Sequence, residues 1–94
     1  MYMNKRRTEF INNAIYEFRG GMAREFYFTN VDYPFIPYYY DPKDDSLHAE
    51  SVSIPFHYKE HEITNRVIRD SLSKLKEKLK EDYRERGIIL YEYD

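Results

Sequence analysis

The stretch from about Glu60 to Arg86 constrains the fold more than any other part of the chain. Ile63, Val67, Ile68, Leu72, Leu75, Leu79 and Tyr83 recur at steps of 4, 1, 4, 3, 4 and 4. That spacing lays one apolar stripe along a helix of 3.6 residues per turn. Arg66, Asp70, Lys74, Lys76, Glu77, Lys78, Lys80, Glu81, Asp82 and Arg84 fall between the stripe positions and belong in water. Gly87 stands where a left-handed residue ends a helix. The spacing therefore predicts a helix over about 60–86, and the rest of the chain must cover its stripe.

A second helix is predicted over about 4–19. Phe10, Ile11, Ala14, Ile15 and Phe18 share one face, Asn4 can cap the start, and Gly20-Gly21 can end it. The aromatic run at 24–30 follows the glycine pair and reads as a strand. Between 31 and 49, Pro34, Pro37 and Pro42 enforce extended chain but exclude a central strand. Phe35–Tyr40 is read as an edge strand, and Asp41-Pro42-Lys43-Asp44-Asp45 as a turn. Over 50–58, Val52, Ile54, Phe56 and Tyr58 alternate with Ser51, Ser53 and His57. This is a half-buried strand that Pro55 places at an edge or bulge. Ile88-Ile89-Leu90-Tyr91-Glu92-Tyr93 is rich in β-formers and reads as a final strand in the middle of the sheet.

The expected architecture is a two-layer α+β fold. Two amphipathic helices, about 4–19 and 60–86, pack on one face of a small, mainly antiparallel sheet of three or four strands. With 94 residues the chain is expected to form one compact domain, 1–94. An open edge strand leaves homodimerisation available.

Composition excludes several function classes. There is no cysteine, so disulfides, thiol nucleophiles and thiolate zinc sites are absent. No apolar run approaches the ~20 residues that span a bilayer. Lys5, Arg6 and Arg7 are not followed by the continuous apolar segment of a signal peptide, so the expectation is a cytoplasmic protein without a membrane partner. Serines lie near no glycine-rich elbow, and no phosphate-cradling loop spacing exists. His57 and His61 stand four apart with Glu60 and Glu62 nearby. Yet His57 ends a predicted strand, so a polar turn is expected there and not a metal site. No enzyme activity, metal or cofactor is expected.

The net charge of −2 hides a segregation. Residues 1–24 carry five basic and two acidic side chains, residues 25–62 two basic and eight acidic, and residues 63–94 eight basic and seven acidic. The acidic middle coincides with the aromatic, proline-stiffened segment. Tyr33, Phe35, Tyr38, Tyr39, Tyr40, Asp41, Asp44 and Asp45 are the candidate partner-binding residues, with Tyr91, Glu92, Tyr93 and Asp94 as an extension. A tyrosine ring offers buried area and one directional bond, and proline lowers the ordering cost. At least two of Tyr38, Tyr39 and Tyr40 are expected to face solvent, because neighbours on extended chain point to opposite sides.

The leading functional expectation is a non-enzymatic protein-binding module that occludes a basic surface. Usage that favours Tyr, Ile, Lys, Phe and Asn fits an A+T-rich genome. By association this suggests a phage or mobile-element inhibitor of a host nucleic-acid-processing or defence protein. The alternative is a small nucleic-acid-binding regulatory protein using Lys5, Arg6, Arg7, Arg66 and Arg69.

Overall fold

A computed structural model describes residues 5–18, 25–32, 34–56 and 58–92. The predicted N-terminal helix is α1, Lys5–Phe18. The predicted long helix is α2, Asn65–Glu85. Its first predicted turn is instead a separate 3₁₀ turn, Glu60–Glu62. Thr64 explains the break, since it is extended (φ −123°, ψ 168°) and its side chain accepts the Val67 amide as an N-cap. Ile63 and Ile68, just before the cap and one turn inside, are both buried, the arrangement of a hydrophobic staple. At the far end Gly87 has φ +86° and donates to the Arg84 carbonyl, while Ile88 donates to that of Tyr83.

The fold is α+β, with two small antiparallel sheets in place of the single sheet expected. The first pairs β1, Glu25–Tyr27, with β2, Phe35–Pro37, placing Phe26 opposite Ile36. The second has the order β3 (Tyr39–Asp41), β4 (Ser46–Ala49), β5 (Val52–Pro55). The predicted edge strand Phe35–Tyr40 is therefore split between two sheets, with Pro37 closing β2. The central strand β4 lies in the region read as turn and loop. Pro55 does end an edge strand, as its missing donor requires.

Tyr40, Leu47 and Ile54 lie side by side across the second sheet, on its inner face. α2 packs on β4 and β5, while α1 lies against α2 and β3. Ile68, Leu72, Leu75 and Leu79 from the stripe join Leu47, Ala49, Val52, Phe56, Phe26, Phe28, Ile36 and Ile11 in one core. Each of the larger aliphatic and aromatic side chains among them contributes roughly 1.5–3 kcal/mol on leaving water, before entropy is counted.

The C-terminal segment corrects the sequence reading. Residues 88–91 form no strand; a single bridge pairs Glu92 with Phe28. Ile88, Ile89 and Tyr91 face solvent and only Leu90 is buried, so this segment is not the middle of a sheet. It is a strap held largely by polar bonds. The Asn30 amide donates to the Ile89 carbonyl at 2.5 Å and its oxygen accepts the Tyr91 amide at 2.8 Å. The Thr29 amide donates to the Tyr91 carbonyl at 2.8 Å. Glu92 accepts from Lys76 at 2.8 Å and Lys80 at 3.1 Å, tying the strap to α2.

Candidate functional site

From Phe35 to Tyr40 the chain alternates without interruption through both strands. Phe35, Pro37 and Tyr39 are exposed, while Ile36, Tyr38 and Tyr40 are buried. The expectation that two of the three consecutive tyrosines face solvent is therefore wrong. Tyr38 is 2% and Tyr40 6% exposed, against 50% for Tyr39. Alternation was the right rule, but it operates with the opposite phase. Ile36 is buried, and residues two and four positions later must follow it inward.

The outward row continues across the second sheet. Tyr39 lies opposite His48 and Asp41 opposite Ser46. The Tyr39 and His48 rings stack with centroids 5.2 Å apart and planes 13° from parallel. On the first sheet Tyr27 lies opposite Phe35, rings 4.9 Å apart. Two aromatic pairs thus flank Pro37. Sequence reasoning missed Tyr27 and His48, since neither partner could be assigned without the strand registers.

Acids edge this face at the β3–β4 turn. Asp41 accepts the Lys43 amide at 2.9 Å, an Asx turn that aims the chain back. Asp44 is exposed, and its carboxylate oxygens lie 3.1 and 3.2 Å from His48 Nε2. Asp41, Asp44 and His48 bring one ligand-type atom each to within 4.8 Å of one another, a set of donors able to hold a divalent cation.

Asp45 behaves differently from its neighbour. At φ 52° it turns inward. Its carboxylate accepts Arg7 Nε at 3.1 Å and Nη2 at 3.2 Å, together with a short bond from the Tyr40 hydroxyl. Burial, then the bond to this carboxylate, pushes the Tyr40 hydroxyl up to about 12. For Arg7 burial opposes the charge, and the bonds to Asp45 and Tyr40 outweigh it, so its pKa is raised. Arg7 Nη2 also reaches the Phe56 carbonyl at 3.1 Å. Tyr40 is therefore internal and Asp45 half-buried against Arg7, while Phe35, Tyr39 and Asp44 of the predicted set are exposed, Asp41 is half-buried, and Tyr91 and Glu92 of the extension are exposed. Tyr33 and His57 lie outside the described residues.

The basic residues of the alternative reading are dispersed. Lys5 opens α1, Arg6 beside it is exposed, and Arg7 is engaged with Asp45. Arg66 and Arg69 are exposed on the first half of α2. No helix of the described residues is long and apolar enough to cross a membrane. No family model, curated protein or solved structure matches this chain.

Proposed function

We propose that the chain is a non-enzymatic protein-binding module whose contact face is the outward row Phe35, Tyr39, Asp41 and Asp44, completed by Tyr27 and His48. The observation that carries this reading is the half-exposure of Phe35 (47%) and Tyr39 (50%) on strands whose alternate residues are core. Rigid aromatic rings beside carboxylates suit a partner with a basic, partly apolar surface. The acids steer the approach and the rings supply buried area. Amino-acid usage supports the narrower reading of a cytoplasmic inhibitor, phage- or mobile-element-encoded, that covers the basic face of a host nucleic-acid-processing or defence protein.

The test is affinity capture from the native host lysate, read by mass spectrometry. The wild-type chain is compared with Phe35→Ala/Tyr39→Ala and Asp41→Asn/Asp44→Asn, and with Arg66→Ala as a control. Capture of one protein that both double variants lose and Arg66→Ala keeps, with unchanged melting of all variants, supports the reading. Equal capture by every variant defeats it. Replacing Tyr38 or Tyr40 does not test it, because both belong to the core.

A further inference from the structure

A cavity of about 340 Å³ opens where the first turns of α1 meet the residues leading into α2. That volume falls in the range of small-ligand sites, roughly 300–1,000 Å³. Arg6, Arg7 and Phe10 of α1 line it from one side, His61 and Ile63 from the other. Ile63 is buried and gives an apolar floor, while the Phe10 ring is half exposed (50%). Arg7 is fixed at the wall, because Asp45 and the Phe56 carbonyl hold its Nε and Nη2. Arg6 and His61 are exposed, and among the described residues neither pairs with a carboxylate.

Glu60 and Glu62 flank His61 in the 3₁₀ turn, and the Glu62 carboxylate is engaged by the Lys59 amide at 2.8 Å. Arg6 brings the charge to the cavity and His61 a ring nitrogen, a pair that suits an anion. A guanidinium fork with an imidazole matches a phosphate group, which offers several acceptor oxygens, better than a single acceptor. Phe10 adds a flat surface on which a planar ring can stack.

We propose that this cavity binds a nucleotide phosphate, with the phosphate against Arg6 and His61 and the base against Phe10, Arg7 forming the wall through its bonds to Asp45. The site is separate from the acidic aromatic face and does not rest on the protein-binding reading. A free mononucleotide and the phosphorylated 5′ end of a short strand share this chemistry.

The experiment is a titration of the full chain followed by amide and aromatic NMR shifts. The probes are AMP, UMP, adenosine, inorganic phosphate, and a pentanucleotide with and without a 5′-phosphate. A mononucleotide or the phosphorylated strand should shift Phe10 and His61 with a Kd on the order of 0.1–1 mM, and adenosine and inorganic phosphate should each bind about tenfold more weakly. Arg6→Gln and His61→Gln should each weaken binding about fivefold to tenfold, while Arg84→Gln at the far end of α2 should not. The tighter of the two phosphate carriers identifies the source. No shift at about 5 mM of any phosphorylated probe, or equal losses in Arg84→Gln and Arg6→Gln, overturns the proposal.

Discussion

Arg7 in α1 and Asp45 in the β3–β4 turn are joined by two parallel N–H···O bonds of 3.1 and 3.2 Å. Fork-to-fork pairing fixes orientation as well as distance. It docks the first helix onto the turn that also presents Asp41 and Asp44. A double-mutant cycle of Arg7→Ala and Asp45→Ala in urea unfolding should give a coupling of about 1–2 kcal/mol, above the range of fully exposed pairs. A coupling near zero would show that the pair does not hold α1 to the turn.

Tyr40 makes alkaline stability a second readout of the same cluster. Its folded pKa is raised from 10.0 to about 12, so the folded state keeps a proton that the unfolded chain has lost. The stabilisation is whole below pH 10 and disappears as pH rises through about 12. Between those limits wild type should lose on the order of 2–3 kcal/mol that Tyr40→Phe does not lose, measured by urea midpoints at pH 9 and above.

The opposite sign applies to Glu92. Its bonds to Lys76 and Lys80 hold its carboxyl below the usual carboxylate range. The contribution is present above the unfolded value of 4.5 and is lost as pH falls through the lower folded value. The side chain is 39% exposed, so solvent screening limits the effect to about 0.5–1 kcal/mol. Glu92→Gln should flatten the stability curve in that acid window. Amide exchange at Thr29 and Tyr91 should quicken first, because those bonds attach the strap.

Gly87 has φ +86°, and a Cβ built there meets nothing within 4 Å. The cost of Gly87→Ala is then a matter of backbone strain alone. It should be about 1 kcal/mol in chemical denaturation, with an unchanged m-value.

Adjacent tyrosines should diverge sharply. Tyr38 packs on Phe26 with rings 4.6 Å apart and is 2% exposed. Tyr38→Ala should cost about 3–5 kcal/mol, whereas Tyr39→Ala should stay within about 1 kcal/mol. Equal costs would contradict the inward–outward assignment from which the proposed contact face is built.

The helices were legible because their apolar positions repeat for several turns, and a pattern of that length has few alternative folds. Pro55 was legible as an edge residue through its missing donor. β4 was not, since Ser46-Leu47-His48-Ala49 has no β-branched residue and no Phe, Tyr or Trp, and is a strand through its two neighbours. Conversely, Ile88-Ile89-Leu90-Tyr91 has strand chemistry and no ladder. At the site, alternation was readable but its phase was not. The burial of Ile36, Tyr38 and Tyr40 is a tertiary fact. Asp44 and Asp45 look alike in sequence, yet a left-handed backbone at Asp45 sends one carboxylate outward and the other to Arg7.

Asn30 does for the C-terminal strap what a neighbouring peptide group does in a sheet, offering one N–H and one oxygen to Ile89 and Tyr91. Deamidation of that side chain would replace the donor with a second acceptor and set a carboxylate against the Ile89 carbonyl. The strap would then loosen by chemical ageing of a single amide, in a chain whose backbone is uncut and whose core is intact.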